Sequence, residues 1–257
     1  MDRARELAQR YVGRPGVVGI YLVGSASRPF RDRISDYDIE VALDDAAYEG
    51  TPLEERHVFA IEEGPPRRVD HEFYLRPWGE LVGLEQSPRD LDHYPFQHAA
   101  ILHDPEHRLA DLFRRLAVLP PAVRETRLRV HYLETVFALG RAAKCLDRGN
   151  DLAARLVLGE GAVALTRLLA VACGSWAPTR HWAGEELRLL GVPEGTLTAI
   201  GDLLAAPSAD RITAVRDALH GWLDAQGVAF HRDRMGLIQW AFLTREGKAA
   251  FHTWGAR

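Results

Sequence analysis

Lysine is nearly absent from this sequence. Lys144 and Lys248 are the only two, so arginine supplies the other 30 of the 32 basic residues. We read that skew as composition bias and not as chemistry. Cysteine is as scarce: Cys145 and Cys173 are too few for a disulfide framework or a cysteine-based zinc site. No stretch approaches the roughly 18 uninterrupted apolar residues of a membrane span. The opening Met1-Asp2-Arg3-Ala4-Arg5-Glu6 lacks the apolar region of a signal peptide. The expectation is a cytoplasmic protein with no membrane partner. A surplus of positive charge is missing too: net charge is −4, which disfavours a nucleic-acid-coating domain. There is no Gly-x₄-Gly-Lys-Ser/Thr loop and no Gly-x-Ser-x-Gly elbow, and Gly13, Gly16 and Gly19 precede a strand instead of following one.

What is present is globular. The chain has 257 residues, 47% apolar and 26% charged, a size that suits one large domain or two ordinary ones. Ala4, Leu7, Ala8 and Tyr11 recur at helical spacing and predict a helix ending at Gly13. Val17–Val23 reads as a buried strand and Tyr37–Leu43 as a second. His57–Ile61, Val69–Leu75 and Ala99–Leu102 follow as three more, with a turn at Gly64-Pro65-Pro66. After Leu119-Pro120-Pro121 the strand pattern stops. Val130, Leu133 and Phe137 share one helical face, and Ile212, Val215, Leu219, Trp222 and Leu223 another. The predicted fold is therefore α/β followed by all-α: a small mixed-sheet domain over residues 1–118, then a helical bundle over 121–257. Charge divides along the same line: residues 1–119 hold 22 acids and 15 arginines, the remainder 14 acids and 17 bases. An acidic half suits a metal-nucleotide site; it suits two attracting halves equally well.

The stretch that carries chemistry is Val23-Gly24-Ser25, ten intervening residues, then Asp36-Tyr37-Asp38-Ile39. A strand ending in Gly-Ser lets backbone approach a phosphate closely and adds a hydroxyl. Asp36 and Asp38 lie two apart on a strand and so point to one face. Two carboxylates about 4 Å apart repel by roughly 4 kcal/mol at an effective dielectric of 20. Such a pair needs a cation or a shared proton, and hard oxygen ligands favour Mg²⁺. A third acid is expected on a neighbouring strand, and Val69-Asp70-His71-Glu72 offers two, Asp70 or Glu72.

This pattern resembles the nucleotidyltransferase superfamily that includes DNA polymerase β and the aminoglycoside and lincosamide nucleotidyltransferases. The bacterial antibiotic-modifying branch often has an Arg shortly after the Ser, matched by Arg28, and a Ser before the first Asp, matched by Ser35. Pro29 stands where that branch usually has Gly. The resemblance implies that Gly24 and Ser25 hold a triphosphate, with Arg28 and Ser35 also on the nucleotide-binding side, while Asp36 and Asp38 bind Mg²⁺, with Asp70 favoured over Glu72 as the third acid. It also implies transfer of a nucleoside monophosphate, from ATP or another NTP, to a hydroxyl of a small molecule such as an aminoglycoside- or lincosamide-like antibiotic. Adenylyl transfer is the leading form. In relatives of the kanamycin nucleotidyltransferase type the helical half helps bind the acceptor and supplies an acidic base, for which Glu134 is the candidate here. The implied partners are the nucleotide and the small acceptor, with a homodimer allowed for and nucleic acid not expected.

Blander readings stand beside these. His131, Glu134, Ala138 and Arg141 line one side of the first long helix and read first as a solvated face. Trp176, Trp182, Trp222 and Trp240 read as core before they read as a stacking platform. His103-Asp104-Pro105-Glu106-His107 holds two histidines four apart, but Pro105 between them argues for a turn and against zinc. Arg124 to His131 is spaced loosely like the Arg-His motif of helical ribonuclease partners, so nucleotidyl transfer to a protein or RNA acceptor, as in toxin–antitoxin systems, is an alternative. A non-catalytic nucleotide-binding module is another.

Overall fold

The computed structural model describes residues 1–64 and 67–255; Pro65 and Pro66, within the expected turn, lie outside the described residues. The chain divides into two compact units, Met1–Val118 and Leu119–Arg257.

The first unit runs α1 (Asp2–Ala8), β1 (Val17–Val23), β2 (Tyr37–Leu43), α2 (Asp45–Glu49), α3 (Leu53–Arg56), β3 (His57–Glu62), β4 (Arg68–Pro77), α4 (Trp78–Gly83), β5 (Ala100–His103) and α5 (Arg108–Leu116). The strands form one mixed sheet in the order β3-β4-β2-β1-β5, in which β2 and β4 run parallel and the other neighbours antiparallel. Alternation along the strands serves two cores. Ile20, Leu22, Ile39, Val41, Phe73 and Leu75 pack on Ala4, Ala8 and Tyr11 of the N-terminal segment. Tyr21, Val23 and Ala42 face the other way, onto Leu81 and the Leu109, Leu112, Phe113 and Leu116 stripe of α5. The helix expected to reach Gly13 stops at Ala8. Residues up to Arg14 continue as hydrogen-bonded turns, which still seat the Tyr11 ring 4.9 Å from Phe73.

Asp104, in the segment that read as a turn, caps α5: its carboxylate accepts from the amides of Leu109 at 3.2 Å and Ala110 at 2.9 Å.

The second unit is helical throughout its described residues: α6 (Pro121–Asp147), α7 (Asp151–Ala172), α8 (Ala183–Leu189), α9 (Glu194–Ala205), α10 (Ala209–Ala225), α11 (Arg234–Leu243) and α12 (Arg245–Trp254). Pro121 sits in the first turn of α6, where its missing N–H costs nothing. Asn150, Ser208, Asp233 and Thr244 cap α7, α10, α11 and α12 through side-chain oxygens. At the α6–α7 contact Gly161 lies against Ala138, where an added Cβ would come within 2.7 Å of the alanine methyl. Trp176 and Trp222 are buried core residues. Among the described residues no helix is long and apolar enough to cross a membrane.

Candidate active site

Gly24 sets the geometry at the end of β1. Its backbone lies at φ 68° and ψ −160°, a region that side chains other than hydrogen hardly tolerate. A Cβ built there would fall 1.7 Å from Oδ2 of Asp38, so the absent side chain is what admits the carboxylate. Val23 and Asp38 are register partners across β1 and β2. Ser25 opens the short 3₁₀ turn that follows and is 9% exposed.

Across the sheet, the parallel register of β2 and β4 sets Asp38 directly beside Glu72. The two carboxyl groups are hydrogen-bonded, and Asp38 is pushed up to about 7. Burial is the largest cause, followed by the charges of Asp36 and Glu72. Glu72 also meets Nε2 of His57, at the start of β3, at 2.9 Å. A cavity of about 230 Å³ opens over these groups, lined by Asp38, Ile39, Glu40, Glu72, Tyr74 and Arg76. Beneath it lies an inward polar cluster: the Tyr21 hydroxyl donates to Glu40 at 2.5 Å, and Nε of Arg76 pairs with the same carboxylate at 2.7 Å. Burial raises Glu40 against the opposing pull of Arg76, and raises the Tyr21 phenol as well.

The favoured third acid is displaced. The pairing of β3 with β4 shifts from Ala60–His71 to Ile61–Val69, which leaves Asp70 as the extra residue of a bulge. Its carboxylate takes Nδ1 of His71 at 2.7 Å and lies 3.8 Å from Arg3 of α1, on the α1 side of the sheet. Glu72, the second choice on sequence grounds, is the acid that reaches Asp38. Arg28 is also redirected. It is 5% exposed, donates to the Gly24 carbonyl at 2.7 Å and stacks 4.2 Å over the Tyr94 ring, so it braces the loop from behind. Ser35 closes the loop with Asp32, whose Oδ1 accepts from the Ile34 and Ser35 amides and from the Ser35 hydroxyl.

The helix face expected to be solvated is mostly buried. His131 is 1% exposed because α6 is covered over most of its circumference, from Arg127 through Thr135. Arg127 donates to Nε2 of His131 at 3.4 Å, and Nδ1 of His131 meets Glu134 at 3.1 Å. Burial holds the imidazole below its ordinary pKa despite that carboxylate. Arg124 donates to the carbonyls of Val171 and Ala172 at the end of α7, a cation on a helix C-terminus. His57, Glu40, Arg76 and Asp32 were not singled out from the sequence. Glu40 continues the Asp36, Asp38 alternation and was open to that reading; His57 becomes visible only through the strand pairing.

The carboxylates of Asp36, Asp38 and Glu72 offer hard oxygen ligands, which suit Mg²⁺. Among the described residues no group of three or more His, Cys, Asp or Glu closes into a metal cage by itself. Two hydrogen-bonded carboxyls with a third nearby demand a proton or a cation, and Mg²⁺ commonly completes its shell with water and substrate phosphates. The residues fit a partly hydrated divalent cation.

No protein-family model matches the chain, and no curated protein matches it. Among solved structures it is similar to a nucleotidyltransferase-like protein from Exiguobacterium sibiricum 255-15. The two share 16% identity and a TM-score of 0.45, over 88% of this chain and 74% of that one.

Proposed function

We propose that the chain is a Mg²⁺-dependent nucleotidyltransferase, moving a nucleoside monophosphate from an NTP to a hydroxyl of a small molecule. The observation that carries this reading is the convergence of Asp38 and Glu72, with the charge of Asp36 alongside, next to the Gly24-Ser25 corner. Asp36, Asp38 and Glu72 would hold the metal, which when bound neutralises charge on the phosphates and the departing pyrophosphate. The corner at Gly24 and Ser25 takes the triphosphate, and Arg28, through the Gly24 carbonyl, keeps its path fixed. The acceptor hydroxyl loses its proton to a carboxylate base, and its oxygen attacks the α-phosphorus. The bond from that phosphorus to the α,β-bridging oxygen breaks, and pyrophosphate leaves in line.

Glu134, which meets Nδ1 of His131, is the base this reading assigns. ATP is the first donor to test. A cationic acceptor such as an aminoglycoside agrees with the excess of acid in residues 1–119. An Arg-His ribonuclease-type reading of α6 is less favoured, since Arg124 is engaged with α7. The test is a screen of aminoglycosides and lincosamides with each NTP and Mg²⁺, read by pyrophosphate release. Activity with one acceptor, lost in Asp38→Asn, supports the assignment. Activity that survives in a folded Asp38→Asn protein contradicts it.

A further inference from the structure

The helical unit contains a second cavity, of about 330 Å³, that the transfer chemistry does not use. Small-molecule sites run from roughly 300 to 1,000 Å³, so the space suits a compact ligand. Part of its wall is apolar, formed by Val136 and Leu139 of α6 and Ile212 of α10. The rest is basic: Arg216 and His220 on α10, His231 in the turn before α11, and Arg234 at its start. No Asp or Glu is among the described residues that line it.

The nearby acids meet His231 and Arg216 without themselves lining the cavity. Asp224 pairs with Nε2 of His231 at 3.2 Å and with Arg232 at 2.7 Å, and Asp217 meets Arg216 at 3.4 Å in an exposed pair. Arg234 makes no ion pair among the described residues. The rings of His220 and His231 stack with centroids 5.0 Å apart, and the Tyr132 hydroxyl shares a 3.0 Å hydrogen bond with Nε2 of His220. The His231 side chain is 5% exposed, yet its Nδ1 is buried without a hydrogen-bond partner. Buried polar atoms of that kind are rare and call for an explanation. Burial, His231 and Arg216 together hold His220 below its ordinary pKa, a strain that a bound negative charge would relieve.

We propose that this cavity binds a small organic anion: an apolar body against α6 and α10, with one phosphate or carboxylate head among Arg216, Arg234 and the two stacked imidazoles. The inference does not depend on the acid cluster of the first unit and stands if that cluster proves inactive.

The test follows the imidazole C–H signals of His220 and His231 by NMR in the full-length chain, during titration with phenyl phosphate, benzoate and the neutral benzyl alcohol. At least one anion is expected to move both signals saturably and to bind about tenfold or more tighter than the alcohol. The tighter of the two anions identifies the head group. Because Arg216 and Arg234 are exposed, Arg216→Gln and Arg234→Gln should fold. Each is expected to weaken the anion by about fivefold or more and leave the alcohol unchanged. Phenyl phosphate bound only at the nucleotide site would leave these signals still. Still signals with both anions, equal binding of the alcohol, or no effect of either arginine variant would overturn the proposal.

Discussion

Asp38 and Glu72 are register partners on parallel strands, and burial together with the charges of Asp36 and Glu72 pushes the Asp38 carboxyl up to about 7. The sign of its effect on stability follows. Asp38 ionises near 3.8 in the unfolded chain and at about 7 when folded. The site therefore costs no stability below pH 3.8, progressively more as pH rises to 7, and its full penalty above that. The whole shift corresponds to about 4 kcal/mol. Asparagine avoids that penalty and can donate to Glu72. Because Asp38 is only partly buried and solvent screens part of the shift, we predict that Asp38→Asn stabilises the metal-free protein by on the order of 2 kcal/mol at pH 8. It should give no gain at pH 4. Urea unfolding at the two pH values measures this, and an equal effect at both would remove the titration from the account.

Glu72 and Asp70 are two residues apart and sit in separate surroundings. Glu72→Gln is predicted to lower nucleotidyl transfer by about a hundredfold or more, the scale of losing a charged group at the reacting phosphates. Asp70→Asn, which loosens only the Arg3 and His71 contacts, should stay within a few-fold of wild type. Steady-state kinetics on the two purified variants decides between the two acids.

Gly24→Ala places a methyl on Asp38 and a side chain in a backbone region reserved for glycine. A loss of about 3 kcal/mol or more is expected from strain and overlap together. Chemical denaturation gives the loss, and any folded fraction should lack transfer activity.

In the proposed reaction Glu134 acts as the base and His131 holds it. Glu134→Gln should lower kcat about a hundredfold at nearly unchanged Tm, within the usual range for a lost general base. His131→Ala, which empties a buried position and removes the contact with Arg127, should cost about 2 kcal/mol or more. Paired kinetic and thermal measurements distinguish the two. An inactive Glu134→Gln that has also lost its fold would show the glutamate to be structural.

The two-part layout was legible in the sequence because strand-length apolar runs stop after Leu119, and helical periodicity takes over. Asp36, Asp38 and Gly24 could be found because Gly-Ser and the alternating acids fall in one short stretch. The choice of Glu72 could not, since it depends on a bulge that shifts the face at Asp70 and on a parallel register set by non-local pairing. α5 escaped for a different reason: its cap, Asp104, lies well upstream of the amides it binds, so no cap signature adjoins the Leu109, Leu112, Phe113, Leu116 stripe. In one dimension Arg28 read as a nucleotide-binding residue. Its partners, the Gly24 carbonyl and the Tyr94 ring 66 residues away, appear only in three.

In the proposed function, acids of β2 and β4 hold a divalent ion together with a nucleotide. Its most direct test is Mn²⁺ binding, followed by electron paramagnetic resonance with a non-hydrolysable ATP analogue present. The account predicts nucleotide-dependent Mn²⁺ binding that weakens about tenfold or more in Asp38→Asn and in Glu72→Gln and stays unchanged in Asp70→Asn. Mn²⁺ binding that is indifferent to Asp38 and Glu72, or lost only in Asp70→Asn, would contradict it.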